Sequence, residues 1–424
     1  MKIAYFMLGL LLTTASLAEA KKTVCSMAIN SSDEINAFKS ELSPNDFDFV
    51  ELTKNKSDGG DWFKNSCAAK VQCDVLIISG HFAGTFFGES GMNLPINDLE
   101  NASCKSDCDG ILKRPKEVFL FGCNTLAGKK ADQRTPEQYL EVLMNDGFSA
   151  AQAQQVVAFR YSPIGGRFSY RMSQIFNKTP RIYGFNSVSP LGKYNGPILK
   201  TYLRQNSSNY VQIVESATSA QNMSLLKAFS RTAIVQETGA AVATNETSPV
   251  CYLSSENQST SRIDKLKWIQ AQLEKSDSLE LVGHFTEFFK EQKFQRRWTN
   301  EEAAIFSKIQ ENSALKEQLT AIVSSNKLWL KRTQAEVLEF MKQVGWIDSK
   351  SYSHQIVQIL NLNKPNMTQE EMMYACGMKI QADLEMSDLD QNQFNNPNFR
   401  YAVSCVNQKP GAVSSKISSY DRNY

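Results

Sequence analysis

This chain has little of three things: net charge, long apolar runs and histidine. Its 46 basic residues nearly balance its 44 acidic residues, so composition does not favour nucleic acid or an anionic membrane as a partner. Beyond the N-terminus, no stretch approaches the roughly 18 consecutive apolar residues of a membrane-spanning helix. Only three histidines are present, so each imidazole can be judged separately as a candidate for proton transfer.

The N-terminus has the three parts of a secretory signal peptide. Lys2 supplies positive charge, residues 3–12 are apolar, and Ala18-Glu19-Ala20 matches the A-x-A cleavage site. The apolar segment is too short to anchor the chain in a membrane. We therefore expect cleavage after Ala20 and export to the periplasm or the medium, without stable membrane insertion of the mature protein.

The two halves of the chain differ in composition. Of 21 glycines, 16 precede residue 200, whereas four of the five tryptophans follow it. In the first half, short apolar runs alternate with helical patterns, which predicts a parallel sheet with flanking helices. In the second half, helical patterns follow one another, and Thr299 and Thr368 begin capping boxes. The predicted organisation is a signal peptide (1–20), an α/β domain (21–235), a linker (236–260), a mainly α-helical domain (261–409) and a loose tail (410–424).

Local patterns place most elements of the first half. Short apolar runs predict strands, and amphipathic spacing predicts helices between them. The remaining stretch, residues 84–116, is predicted to be a long loop. The predicted strands are 23–29, 47–52, 75–79, 118–121 and 181–185, and the predicted helices are 33–42, 62–70, 150–160, 197–204 and one capped by Thr135.

Two apolar segments end in a small residue followed by one reactive side chain. Val75-Leu-Ile-Ile-Ser-Gly-His81 delivers a histidine, and Val118-Phe-Leu-Phe-Gly-Cys123 delivers a cysteine 42 residues later. Each run is typical of a buried strand of a parallel sheet. Sites form at the carboxyl ends of such strands, so His81 and Cys123 are predicted to meet at one crevice. A thiol beside an imidazole is the arrangement of a cysteine nucleophile.

The order and spacing of this pair resemble the caspase-like cysteine peptidases. That group contains caspases, legumain, gingipains, separase and the bacterial CHAT domains, and in caspases the histidine lies about 50 residues before the cysteine. Phe121-Gly-Cys-Asn-Thr125 is most similar to the CHAT turn and departs from the caspase Q-A-C-x-G signature. The resemblance covers about residues 22–206. It implies a caspase-like sheet and cleavage of peptide bonds.

The resemblance also assigns roles to individual residues. It implies Cys123 as nucleophile and His81 as general base and acid. The tetrahedral oxyanion needs backbone N–H donors, and the amides of Phe82 and Cys123 are the candidates. The family usually has glycine directly after the histidine, where this chain has Phe82 and reaches a glycine only at Gly84. The oxyanion hole needs only the backbone N–H, but a side chain as large as that of Phe82 can block the groove. Leu126 likewise stands where glycine commonly follows.

Nine cysteines are an odd number for an exported protein, which indicates a free thiol or an intermolecular bridge. If Cys123 is free, eight remain to pair. Local spacing favours Cys104–Cys108, which has no second Cys/His pair nearby to complete a metal site, and more weakly Cys67–Cys73. The full set of disulfide candidates is Cys25, Cys67, Cys73, Cys104, Cys108, Cys251, Cys376 and Cys405.

The second half contributes three of these cysteines. Cys376–Cys405 is the natural pair inside it, so Cys251 is expected to reach back to the first domain and restrain the hinge. We also expect the helical half to fold separately and to govern access or partner choice. It contains His284 and His354, which have no motif around them and are expected to be structural.

The expected function is therefore an exported cysteine endopeptidase that acts on a polypeptide through a Cys123–His81 dyad, without a cofactor or a metal ion. The alternative is an inactive caspase-like domain in a binding or scaffold protein. In that case, the helical half presents the partner surface, as helical arrays commonly do. Cleavage of peptides by the purified protein separates the two.

Overall fold

The computed structural model describes residues 20–53, 62–128, 134–163, 167–240, 248–254, 259–275, 278–295, 297–327, 330–378 and 380–407. Residues 1–19 of the expected signal peptide and all of the expected tail lie outside these ranges.

Nine strands are found among the described residues. They are β1 (Lys22–Ala28), β2 (Phe47–Glu51), β3 (Val75–Ser79), β4 (His81–Phe82), β5 (Thr85–Phe87), β6 (Asn93–Pro95), β7 (Glu117–Phe121), β8 (Arg181–Phe185) and β9 (Ile234–Glu237). Six form one sheet in the order β2-β1-β3-β7-β8-β9. Its neighbours are parallel except for the antiparallel pair β8–β9. This mostly parallel sheet with flanking helices is compatible with a caspase-like α/β fold.

Both faces of the sheet are buried, which explains the continuous apolar runs of its central strands. Successive side chains of a strand point to opposite faces. Accordingly Leu76 and Ile78 of β3 belong to one apolar cluster, whereas Val75 and Ile77 belong to another. Strands β3 and β7 are paired from Val75 to Ser79, so their carboxyl ends lie side by side. The first cluster also receives the aromatic side chains of the small sheet described next.

The prediction of a long loop at residues 84–116 was wrong. Strands β4, β5 and β6 form a three-stranded antiparallel sheet directly after β3, and two helices follow, α3 (Ile96–Ser103) and α4 (Asp109–Leu112). These elements are two to eight residues long, which is too short for a hydrophobic period to be read from the sequence. His81 therefore begins the small sheet, two residues after β3 ends at Ser79.

Helices cover both faces of the main sheet. Within the described residues the other helices of this half are α1 (Asp33–Glu41), α2 (Trp62–Ala68), α5 (Pro136–Asn145), α6 (Ala150–Arg160), α7 (Phe168–Ile175), α8 (Gly192–Asn206), α9 (Tyr210–Glu215) and α10 (Met223–Ala228). Thr135 caps α5 and Ser149 caps α6, each with a full capping box. The helix predicted at residues 197–204 is longer in the structure. Helix α8 begins at Gly192, ends at Asn206 and contains Pro197 in its second turn.

The remaining described residues are mainly helical, as the sequence predicts. The helices are α11 (Pro249–Leu253), α12 (Arg262–Leu273), α13 (Val282–Gln295), α14 (Asn300–Gln310), α15 (Ser313–Val323), α16 (Lys331–Gln343), α17 (Ser349–Ile359), α18 (Gln369–Gly377) and α19 (Pro397–Val406). Two apolar clusters lie within this half, one around α12, α13 and α16 and one around α17 and α19. The capping boxes at Thr299 and Thr368 are both formed.

The two halves contact each other directly. Arg167 donates from Nε to the Glu280 carboxylate at 2.6 Å, and the hydroxyls of Ser162 and Thr333 lie 2.6 Å apart in a buried position. Between the halves, the expected linker 236–260 contains the end of β9 and all of α11, while residues 241–247 and 255–258 lie outside the described ranges.

The disulfides differ in part from the expected pairs. The local pairs Cys104–Cys108 and Cys67–Cys73 were wrong. The structure has Cys376–Cys405 inside the helical half and a bridge from Cys251 to the first half, as expected. The four bridges are Cys25–Cys73, Cys67–Cys108, Cys104–Cys251 and Cys376–Cys405.

The bridges follow the packing of elements rather than distance along the chain. Cys25 lies in β1 and Cys73 just before the neighbouring strand β3, whereas Cys104 directly follows α3 beside α11. Disulfides of this kind are typical of proteins from oxidising compartments, which is compatible with export. Within the described ranges, no helix has both the length and the apolar character needed to cross a bilayer.

Candidate active site

His81 and Cys123 line the same small crevice at the carboxyl ends of β3 and β7. Two glycines bring these strand ends together. A Cβ on Gly122 would lie 2.7 Å from the Gly80 carbonyl oxygen and 2.9 Å from Cβ of Phe82, so only glycine fits there. Gly80 also donates its N–H to the Phe121 carbonyl at 3.0 Å. The glycine before Cys123 is therefore a packing requirement, while a Cβ on Gly80 would make tight contacts of 3.3 Å with Cβ of Ile29 and the Phe87 carbonyl oxygen.

A tight turn fixes the backbone immediately after Cys123. Asn124 has a φ of 60°, a conformation that asparagine adopts more readily than most residues, and Tyr139 donates its hydroxyl to the Asn124 Oδ1 at 3.1 Å. The Thr125 hydroxyl donates to the Leu120 carbonyl at 3.1 Å and accepts from the Phe185 N–H at 3.1 Å. These bonds join the ends of β7 and β8 and hold Cys123 in one orientation.

Cys123 is the one free cysteine among the described residues. Its side chain is only 1% exposed. The Ser189 N–H donates to its Sγ at 3.3 Å, and the Ser189 carbonyl lies 4.0 Å from the same sulfur. Burial raises the pKa of Cys123 to about 12, while the hydrogen bond from Ser189 acts in the opposite direction. In this conformation the group is a neutral thiol.

His81 is 8% exposed and lies between aromatic rings. Its ring centroid is 4.3 Å from that of Phe148 and 5.4 Å from that of Phe87. Burial lowers the pKa of His81 to about 4, so the imidazole is neutral at physiological pH and available as a base. Among the described residues its ring contacts are with these two phenylalanines, and no hydrogen bond joins it to Cys123.

The ring of Phe82 does not block the crevice. It points into the core, 4.7 Å from the ring of Phe86 and 5.1 Å from that of Phe168, and it does not line the crevice that holds His81 and Cys123. The first glycine after His81 is Gly84. It has a φ of 68°, and a Cβ at this position would overlap the ring of Phe159. The backbone after the histidine thus turns at Gly84 instead of at the position of Phe82.

Three further residues beside the pair were missed by sequence reasoning. Glu34 lines the same crevice and is 1% exposed, and burial raises its pKa. Ser189 contacts the thiol, and Asn195 of α8 contacts Ser189. No local motif marks them, because α1 and the segment between β8 and α8 are far apart in sequence and meet only through packing.

The other two histidines lie away from the crevice. His284 is buried in α13, with Nε2 3.8 Å from the Glu100 carboxylate that Arg171 also holds. Burial lowers the pKa of His284. His354 is exposed in α17, where its Nε2 lies 2.9 Å from the Gln358 side-chain nitrogen.

A wider cavity lies between the β4–β5 hairpin and the helical half, but its chemistry differs from that of the crevice. Its charged side chains are paired: Arg332 with Glu336 at 3.1 Å, and Lys290 with Glu339 at 3.7 Å. Neither Cys123 nor His81 lines it. Of these two cavities, only the smaller crevice is lined by a cysteine thiol.

Comparison of the chain with protein-family models, with curated proteins and with solved structures gives no significant match. The residues of the crevice are therefore the basis for inferring a function. A thiol, a neutral imidazole and backbone N–H groups at the ends of parallel strands are the components that acyl transfer through a cysteine requires.

Proposed function

We propose that this protein is an exported cysteine endopeptidase with a caspase-like domain, in which Cys123 is the nucleophile and His81 the general base. The observation that carries the proposal is that both side chains line one crevice at the ends of β3 and β7. Two further facts support it. Cys123 is the one described cysteine outside a disulfide, and the pKa of His81 is low enough to keep its imidazole unprotonated.

The first step is acylation. The neutral imidazole of His81 takes the thiol proton as the sulfur of Cys123 attacks the peptide carbonyl carbon. A carbon–sulfur bond forms, and the negative charge on the carbonyl oxygen is stabilised by backbone N–H groups, for which Phe82 and Cys123 are the candidates. His81 then gives its proton to the amine as the carbon–nitrogen bond breaks.

The second step is hydrolysis of the thioester. His81 takes a proton from water, whose oxygen attacks the same carbon. The carbon–sulfur bond breaks, the acid product leaves, and the thiol of Cys123 is restored with the proton held by His81. His81 and Cys123 are both buried, and Cys123 is only 1% exposed. Substrate binding must therefore open the crevice.

The second candidate is a binding or scaffold protein that has kept the fold without the activity. One specific observation favours it: Cys123 is buried with a pKa raised to about 12, which disfavours the reactive thiolate. In that case the helical half supplies the partner surface. The residues of the crevice then only pack β3, β7 and the Ser189 backbone against one another.

Cleavage of a peptide library by the purified protein tests the two candidates. The endopeptidase proposal predicts cleavage that Cys123→Ala and His81→Ala both abolish. A matched control is His354→Ala, which removes an exposed imidazole in α17 and should leave cleavage unchanged. Absence of cleavage by wild-type protein, with its disulfides intact and Cys123 verified as a free thiol, favours the scaffold.

A further inference from the structure

The backbone segment that contacts the thiol is held by a buried asparagine. This segment, residues 186–191, joins β8 to α8, and its Ser189 N–H donates to the Cys123 Sγ at 3.3 Å. Asn195 of α8 is 1% exposed. Its Nδ2 donates to the Pro190 carbonyl at 2.6 Å and to the Ser189 Oγ at 3.3 Å. The position of the Ser189 N–H therefore depends on Asn195.

A buried carboxyl group continues these contacts toward the histidine. The Glu34 carboxyl group accepts a hydrogen bond from the Ser79 hydroxyl at 2.9 Å, and the Asn195 side-chain amide acts on it as a further donor that lowers its pKa. Ser79 is the last residue of β3, two positions before His81. Polar contacts between buried side chains thus run from the last residue of β3, just before the histidine, to the backbone around the thiol.

Two glycines of α8 make this contact possible. A Cβ on Gly192 would lie 2.1 Å from the Ser31 hydroxyl oxygen, and a Cβ on Gly196 would lie 3.1 Å from Cβ of Asp33. Both positions pack on the start of α1. Without side chains at these two positions, α8 approaches α1 closely enough for Asn195 to reach Glu34.

We propose that Asn195 and Glu34 are positioning residues for the Cys123 sulfur. They hold residues 186–191 so that the Ser189 N–H points at Sγ and stabilises the thiolate when it forms. This inference rests on the proposed function, in which that thiolate is the nucleophile. Neither residue contacts the reacting atoms, so their effect must pass through Ser189.

The hydrogen bonds of Glu34 fit this role. Burial raises the pKa of Glu34, while the hydrogen bonds from Ser79 and Asn195 lower it. Both neighbours donate, so Glu34 acts toward them as an acceptor. A glutamine at position 34 keeps a side-chain carbonyl oxygen that accepts such bonds and should therefore preserve the contact.

Other titratable groups also face the Cys123 sulfur and must be kept constant. They are His81 from β4, Tyr139 from α5, Asp146 just after α5, and Glu34 from α1. The negative charge of Asp146 raises the pKa of Cys123, and the Ser189 hydrogen bond lowers it. Substitution at Asn195 leaves all four groups in place.

The test is the rate of Cys123 alkylation by iodoacetamide across a range of pH, measured on the whole purified protein. Loss of a hydrogen bond to a charged sulfur moves the pH profile upward by about one unit, so Asn195→Ala should react about tenfold more slowly at a given pH. A purely structural role predicts the opposite sign, because a loosened segment exposes the thiol. The control is Asn206→Ala, an asparagine of α8 that donates to the Tyr202 carbonyl at 2.7 Å and should leave the profile unchanged.

A second pair of variants keeps the proposal testable if Asn195→Ala does not fold. Glu34→Ala should slow alkylation, and Glu34→Gln should restore the wild-type profile. Unchanged or faster alkylation in Asn195→Ala or Glu34→Ala overturns the inference. Alkylation needs no peptidase activity. If Asn195→Ala and Glu34→Ala are alkylated slowly but the wild-type protein cleaves no peptide, only the proposed function is overturned. If the wild-type protein cleaves peptides but these variants keep the wild-type alkylation profile, only the positioning role is overturned.

Discussion

The burial of Cys123 decides its chemistry in this conformation. A thiol becomes a nucleophile as its thiolate, and an ordinary cysteine pKa is about 8.5. Here burial raises the pKa of Cys123 to about 12, and burial also keeps His81 neutral. The pair is a neutral thiol and a neutral imidazole. In the proposed peptidase mechanism this pair is the resting state, and catalysis requires a change that exposes both groups.

The raised pKa predicts how Cys123 reacts with iodoacetamide. For an acid, a raised pKa means that the charged form appears only at higher pH, so the rate should still be rising about tenfold per pH unit at about pH 9. Mass spectrometry should find the label on Cys123 and none on the eight bridged cysteines. A rate that levels off below about pH 9 would show that the thiol is far more acidic than its burial implies.

At the scale of elements, the two strand ends could be predicted from the sequence because the strands are continuous apolar runs. Strand β8 has the predicted bounds, and so does α6, whose start is marked by the Ser149 capping box. The three-residue strands β5 and β6 could not be predicted, because no hydrophobic period fits so few residues. Ser189 escaped prediction because tertiary packing alone brings it to the thiol.

Close packing of the two strand ends makes Gly122 irreplaceable. In Gly122→Ala the new Cβ would meet the Gly80 carbonyl oxygen at 2.7 Å, which forces backbone shifts that cost about 1–3 kcal/mol. The control is Gly128→Ala, where a Cβ meets nothing within 4 Å. We expect urea unfolding to show a clear loss for Gly122→Ala and a change within about 0.5 kcal/mol for Gly128→Ala. Equal effects would contradict the packing argument.

The turn between α5 and α6 covers the histidine. Phe148 in this turn is 5% exposed and its ring lies 4.3 Å from the His81 ring. Phe148→Ala should open the crevice and speed alkylation of Cys123 several-fold. Phe399→Ala, which removes a buried ring of the helical half, should destabilise the protein without this effect. If both variants change the alkylation rate alike, the turn does not control access.

At the scale of the whole molecule, the Cys104–Cys251 bridge joins the two halves across 147 residues of sequence. The existence of such a tether could be predicted by counting cysteines, but its partner in the first half could not. Cys104 is the partner because α3 and α11 pack together, whereas Cys67 and Cys108 lie beside each other in α2 and the turn before α4. Spacing along the chain does not report that packing.

Removing this bridge should weaken the attachment of the helical half. The double variant Cys104→Ser/Cys251→Ser should lose about 2–5 kcal/mol of stability, because the unfolded chain is no longer constrained across a long loop. The control is Cys376→Ser/Cys405→Ser, whose 29-residue bridge lies inside the helical half. We expect only the first variant to separate the thermal unfolding of the halves into two transitions. A single transition in both would show that non-covalent contacts suffice.

The central claim is that Cys123 attacks peptide carbonyl groups with the help of His81. The most direct measurement mixes the purified protein with a library of peptides that end in an electrophilic ketone and locates the adduct by mass spectrometry. The account predicts one covalent peptide adduct, on Cys123, which His81→Ala slows strongly and His354→Ala leaves unchanged. Wild-type protein with intact disulfides that forms no adduct, or forms it equally well without His81, would contradict it.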